Sequence, residues 1–276
     1  MAANKRILFV TQEIKPYLPE SESSVLGREL PRLSQEDGYE VRTFMPRFGS
    51  INERRNQLHE VIRLSGINIP IDDADHPLII KVASMQPSRI QVYFIDNEDY
   101  FTKSADDVDE VGSNRADNDE RVIFYTRGTM ETVKKLRWEA TVIHCMGWFS
   151  ALTPLYIRTA YNTDPSFRGS KVVYSVMPGP EPAVVDPKFI KKMVADGIPN
   201  RHFKEFGEPP YDVKTLHKMA IKFSSGVVFA TDEPDSELLE YAQKLKLPVL
   251  LKEQVKEDLS GYVDFYNQLS TNGKKK

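Results

Sequence analysis

Short apolar runs alternate with stretches of helical periodicity along most of this chain. Residues 5–10 (Lys-Arg-Ile-Leu-Phe-Val) are β-branched and aromatic enough to predict a strand, and Leu26, Leu30 and Leu33 recur at the spacing of one helix face. A strand, a loop and a helix therefore open the chain. The pattern returns with strands expected at 41–45, 141–144, 171–176 and 226–231, and helices at 120–136, 149–161, 211–223 and 236–245. Buried parallel strands read as unbroken apolar runs, and strands alternating with helices predict a parallel sheet covered on both faces. The expected class is α/β and Rossmann-like. Between residues 61 and 95 helical periodicity gives way to β-rich runs at 61–71, 78–84 and 89–95, a β-meander inserted into the α/β pattern. The stretch 104–120 is rich in Asp and aperiodic, which reads as a surface loop; its carboxylates lack calcium-loop spacing, and no metal site is expected.

Composition narrows the function. With 276 residues, 40% hydrophobic and 28% charged, the chain can bury a large core, which disfavours disorder. A net charge of −3 argues against nucleic acid, whose phosphates demand a basic face. Cys145 is the single cysteine, so no internal disulfide forms. Neither an export leader nor an apolar run of about 18 residues is present, so a cytoplasmic protein without a membrane partner is expected.

The loop after the first strand, Thr11-Gln12-Glu13-Ile14-Lys15-Pro16-Tyr17, is followed at the right distance by Leu30-Pro31. This resembles the entrance of the starch and glycogen synthases, which read Thr-Ser-Glu-Val-x-Pro-Phe, then Lys-Thr-Gly-Gly-Leu-Gly-Asp, then Ala-Leu-Pro. Residues 41–49 (Val-Arg-Thr-Phe-Met-Pro-Arg-Phe-Gly) are similar to the family's second strand and its Met-Pro-Arg-Tyr-Gly. Residues 92–101 resemble its Val-Tyr-Phe-Ile-Asp-Asn-x-x-Tyr-Phe, and Asp117-Asn118 with Arg121 and Phe124 its Asp-Asn-x-x-Arg-Phe. Residues 142–148 resemble the strand ending Val-Val-His-Ala-His-Asp-Trp. The resemblance covers about residues 5–232. It implies the single N-terminal half of a GT-B glycosyltransferase fold: a Rossmann-like domain at 1–232, and a C-terminal helical extension at 233–276 packing on the same domain. The family's second domain has no counterpart in the sequence.

Such synthases transfer glucose from ADP-glucose to an α-1,4-glucan between two such domains. The resemblance locates the donor loop at Pro19, Glu20, Ser21 and Glu22, where the family has Lys-Thr-Gly-Gly. The loss of a lysine and the gain of two carboxylates there oppose a diphosphate. The family's second His and Asp are replaced by Met146 and Gly147, and its His-Asn after the next strand by Met177, Pro178 and Gly179. No catalytic residue is assigned. The residues that keep family types on the acceptor side are Glu13, Tyr17, Tyr93, Asp96, Asp117, Asn118, Arg127 and His144, the candidate glucan contacts. Each also has a plain structural role to consider: His144 as a core histidine, Trp148 as packing, Arg127 as an ion-pair residue, Asp96-Asn97 as a turn. Cys145 is not a nucleophile candidate, because adjacent strand residues point to opposite faces. The expectation is a glycogen/starch synthase-like protein of α-glucan metabolism with a degenerate donor site. The alternatives are a non-catalytic glucan-binding or regulatory pseudoenzyme, or one half of a split transferase. The partners implied are an α-glucan or other sugar, and either a homo-oligomer or a separate second-half subunit. No cofactor is implied beyond ADP-glucose as donor substrate in an active enzyme.

Overall fold

A computed structural model of the chain describes residues 5–101, 111–182, 186, 188–209 and 211–272. Part of the acidic stretch, residues 104–110, lies outside these. Strand β1 (Arg6–Thr11) runs into a loop and then α1 (Glu22–Glu36). Helix α1 begins where it does because the Ser21 hydroxyl accepts the Ser24 N–H at 2.9 Å, while the Ser24 hydroxyl accepts the Ser21 N–H at 2.9 Å. This reciprocal cap satisfies two donors that a helix start otherwise leaves open. After α1 come β2 (Glu40–Pro46), a two-residue β3 (His59–Glu60), β4 (Ile67–Ile71), β5 (Ala74–Met85) and β6 (Ile90–Asp96). The second half supplies α2 (Asn118–Leu136), β7 (Val142–Met146), α3 (Thr153–Arg158), α4 (Pro165–Arg168), β8 (Lys171–Val176) and α5 (Phe189–Ala195). It closes with α6 (Val213–Lys222), β9 (Gly226–Phe229), α7 (Ser236–Lys244), β10 (Val249–Leu251) and α8 (Ser260–Asn272).

The main sheet has the order β10-β9-β8-β7-β1-β2-β6-β5-β3, parallel from β10 through β6. The β-meander is present as β4, β5 and β6, joined by antiparallel ladders. Its last strand is built into the main sheet, with Thr43 to Pro46 of β2 aligned parallel to Val92 to Ile95. The reason is burial: Val92 through Ile95 are at most 4% exposed, so both faces of β6 are covered. Alternation along β1 divides the core. Ile7 and Phe9 join Leu26 and Leu30 of α1 and Tyr262, Phe265 and Tyr266 of α8 on one face. Leu8 and Val10 join the opposite cluster, which includes residues of α2, α3 and α6.

Two local departures from the periodicity have physical causes. The helix expected at 149–161 is broken into a 3-10 turn at Trp148–Ser150 and α3, because Gly147 turns the chain with φ +83° and Pro154 sits in the first turn of α3. Past residue 232 the chain adds a strand as well as helices, since β10 pairs in parallel with β9. Three residues are too few for a period-2 signal to register.

Candidate functional site

Strand order reverses direction at β1, with β2 on one side and β7 on the other. In open α/β sheets ligands bind outside the carboxyl ends of the strands at such a switch point. The register aligns Thr11 with Met146, so the next residues, Gln12 and Gly147, meet at this crevice. A Cβ on Gly147 would lie 2.2 Å from Gln12 Oε1, which leaves no room for another residue there. Gln12 is buried; its Oε1 accepts the Phe149 N–H at 3.3 Å and its Nε2 donates to Glu13 Oε1 at 3.1 Å.

Glu13 is the next residue of this loop. Its carboxylate, 7% exposed, accepts the Ser21 hydroxyl at 2.7 Å, directly before the N-terminus of α1. The α1 backbone is pressed against the same residue: a Cβ on Gly27 would fall 2.0 Å from the Glu13 carbonyl oxygen. On the other wall, Ser23 donates to the Pro178 carbonyl at 2.5 Å, and Gly179 faces both Glu13 and Ser23. The remaining charges of the loop are paired, one within the loop and one with a residue beyond β10. Lys15 meets Glu20 at 2.5 Å, and Lys252, just past β10, bridges Glu22 at 2.5 Å and Asp232 at 2.9 Å. Pro19 is exposed at the loop's start.

The structure brings Glu13 and Ser21 together and distributes the other candidates. Tyr17 is buried edge-on against Phe94 at 4.9 Å, and burial pushes its hydroxyl up to about 12. Tyr93 stacks on Phe44 and accepts a hydrogen bond from Arg42 Nη1 at 2.6 Å; burial raises its hydroxyl pKa against the opposing charge of Arg42. Asp96 ends β6 inside an ion-pair network with Arg47 at 3.0 Å and Lys81 at 2.9 Å. Asp117 precedes α2 and pairs with Arg115 at 2.9 Å. Asn118 ties α2 to the preceding loop through the Ser113 carbonyl and accepts from Arg121, whose guanidinium is packed among Phe48, Phe101 and Phe149. Arg127 lies further down α2, paired with Asp196 at 2.7 Å and donating to the Pro70 carbonyl.

His144 sits under α8. Its Nε2 meets Ser175 Oγ at 2.6 Å and its Nδ1 meets the Tyr266 hydroxyl at 2.7 Å, with no exposed surface. Desolvation pulls its pKa down to about 3, so the ring is neutral and one nitrogen donates while the other accepts. Cys145, on the opposite face of β7, is also fully buried, and its thiol is raised by desolvation. The residues around this candidate site that sequence patterning passes over are Gln12, Ser23 and Lys252. Gln12 and Ser23 carry no periodic signal, and Lys252 reaches the loop only through tertiary folding.

Residues 6–247 match the family described as the starch synthase catalytic domain. The chain belongs to that family. Among curated relatives, the glycogen synthase of Chlorobium luteolum is 33% identical over 196 residues, 71% of this chain and 40% of that protein. The glycogen synthase of Chlorobium limicola is 36% identical over 174 residues, 63% of this chain and 36% of that protein. The chain thus spans about 40% of the length of the curated relatives it matches. Among solved structures it is similar to the catalytic domain of starch synthase IV from Arabidopsis thaliana bound to ADP and acarbose, with a TM-score of 0.64, 14% identity, and coverage of 90% of this chain and 52% of that one. That likeness is one of fold: a mostly parallel sheet with helices on both sides, as in half of a GT-B glycosyltransferase. Among the described residues no helix is long and apolar enough to cross a membrane.

Proposed function

We propose that this starch-synthase-family chain serves α-glucan metabolism by binding glucan, and that its own donor loop does not hold ADP-glucose. The observation that carries the reading is the occupied N-terminus of α1. A helix N-terminus attracts anions through its unpaired N–H groups and its dipole. Here the protein supplies the anions itself: Glu13 on the Ser21 hydroxyl, Glu22 in the first turn, and Glu20 beside them. The two nearby cations, Lys15 and Lys252, are already committed to Glu20 and Glu22. A diphosphate entering this loop meets carboxylates in place of the family's lysine. Two like charges about 5 Å apart repel by about 3 kcal/mol at an effective dielectric constant of about 20, and a missing charge-assisted hydrogen bond forfeits about 1.5–3 kcal/mol more. Together these amount to several powers of ten in affinity.

Gln12 supports the same reading. Its amide fills the space above Gly147, the position where the family has an aspartate, so a polar group reaching toward a donor sugar from that strand is displaced. The starch synthase IV domain was solved with ADP and acarbose, which makes a nucleotide and an oligosaccharide the two informative probes. The test is calorimetric titration with ADP-glucose, ADP and maltoheptaose, followed by a glucose-transfer assay on glycogen. Maltoheptaose binding without ADP or ADP-glucose binding supports the reading. Binding and turnover of ADP-glucose by the chain overturn it; turnover that appears only when a second polypeptide carrying the other domain is added identifies one half of a split transferase.

A further inference from the structure

The main sheet ends in β3 at one edge and β10 at the other, and the two edges differ in shape and charge. Directly after β3 the chain makes a tight turn, in which the Leu64 N–H donates to the Val61 carbonyl at 2.8 Å. Both flanks of this turn are fastened: the Val61 N–H donates to the Ile80 carbonyl at 2.8 Å, and Leu64 is buried. Its two central residues, Ile62 and Arg63, point to solvent. Ile62 is 82% exposed, whereas the next most exposed large apolar side chains among the described residues, Leu245 and Val194, reach 39% and 37%. Turn centres ordinarily carry Gly, Pro, Asn, Asp or Ser, so a β-branched residue held outward there does nothing for the turn itself. One exposed isoleucine is ordinary on its own; the opposite edge of the sheet is what gives it a role.

The β10 edge carries a cavity of about 380 Å³, within the range of about 300–1,000 Å³ typical of binding pockets. Successive turns between β10 and α8 wrap around it: the Val255 N–H donates to the Lys252 carbonyl at 3.0 Å, and the Leu259 N–H to the Lys256 carbonyl at 2.8 Å. Its floor is apolar, made by Pro234, Leu251, Val255 and Leu259, all half-buried. Leu259 is held at φ +60°, a backbone region that a bulky side chain seldom occupies, and strain of this kind gathers at ligand clamps.

We propose that this pocket receives the Ile62 turn of a second copy of the chain, so that copies associate head-to-tail. Charge complementarity selects that occupant. On the pocket rim Lys252 is committed to Glu22 and Asp232, and Lys256 reaches Asp264 at 3.5 Å. Glu253 and Glu257 of the same rim are exposed and have no cation partner among the described residues. Around the knob the signs are opposite: Arg54, Arg55 and Arg63 are exposed with no carboxylate partner among the described residues. The acids within residues 53–63 are Glu53, already paired with Lys81 at 2.7 Å, and Glu60, which leaves the arginines in excess. An apolar knob flanked by arginines thus meets an apolar floor rimmed by carboxylates. A chain cannot fill its own pocket, because the path from β10 to β3 crosses the whole sheet at about 4.8 Å per strand. The contact is heterologous: each assembly keeps a free knob at one end and a free pocket at the other unless it closes into a ring.

The experiment is sedimentation equilibrium of the full chain at concentrations up to about 1 mM, where weak specific contacts are populated, in low and high salt. Wild type is compared with Ile62→Asp, which removes the knob, and with Glu253→Arg/Glu257→Arg, which reverses the rim. All three positions are exposed, so the fold is retained, and thermal melting checks that it is. Wild type is expected to form oligomers that grow with concentration and weaken as salt rises. Each variant alone should associate at least about tenfold more weakly. An equimolar mixture of the two variants should form a dimer and stop there, because one intact knob and one intact pocket remain. A wild type that stays monomeric overturns the inference. Self-association that either variant leaves unchanged puts the contact on another surface and overturns it as well, and variants that fail to pair on mixing overturn the head-to-tail geometry.

Discussion

Lowering the pH should destabilise this fold through one buried imidazole, and the size of the effect follows from where His144 sits. The ring is fully buried between Ser175 and Tyr266, and desolvation holds its pKa at about 3 in the folded chain. In the unfolded chain the value returns to about 6.5. Above pH 7 both states are neutral there, and the group contributes no pH dependence. As pH falls through about 6.5 the unfolded state takes up a proton that the folded state refuses. Stability then drops by about 1.4 kcal/mol per pH unit until about pH 3, below which both states are protonated. From pH 7 to pH 5 the loss is about 2 kcal/mol, or about 4–8 °C in Tm for a chain near this size. Asp119 and Asp196 act in the opposite sense, because burial raises their carboxyls and the folded state then binds protons more readily. Comparison with His144→Gln isolates the imidazole. Urea melts of both proteins at pH 7 and pH 5 should show wild type losing about 2 kcal/mol more than the variant. Equal losses in the two proteins would refute a neutral imidazole sealed beneath α8.

Three further outcomes follow from the packing of the same fold. Gly147→Ala forces a side chain into φ +83° and onto Gln12 Oε1, so a loss of about 2–4 kcal/mol is expected in urea melts, and Gln12→Ala in the same chain should recover part of it in a double-mutant cycle. Lys192→Met strands Asp119 and Glu120, which Lys192 contacts at 2.7 and 2.6 Å; breaking this buried pair should cost about 3–5 kcal/mol, and a loss under about 1 kcal/mol would mean the charges are solvated. Tyr266→Phe leaves a nitrogen of His144 without its partner and should cost about 1–3 kcal/mol, read as a lowered Tm with the far-UV spectrum unchanged.

Much of the fold was legible because burial leaves its mark on composition. β1, β2, β7 and β8 lie in the middle of the sheet, so both faces must be apolar, and such runs stand out against helical periodicity. Residues 149–161 carry helical periodicity throughout because their apolar residues are buried whatever their backbone, while the turn at Gly147 and Pro154 decides the conformation. β10 leaves no mark in the pattern because its three residues borrow their strand geometry from β9. Its neighbour Lys252 then pairs with Glu22 at the start of α1 from more than 200 positions away in sequence.

For the candidate residues, identity and role separate. The motif around Glu13, the Pro19–Glu22 departures and the family membership are properties of the string, since they depend on which side chains follow one another. That Glu13 meets the Ser21 hydroxyl, that Tyr266 closes over His144, and that Arg127 pairs with Asp196 are decisions of the tertiary structure. The sequence by itself determined the α/β class, the strand–loop–helix entrance and the kinds of charge available at it. Which charges neutralise one another, and which polar groups are buried, only the packing decided, because those pairings cross between elements that no local pattern connects.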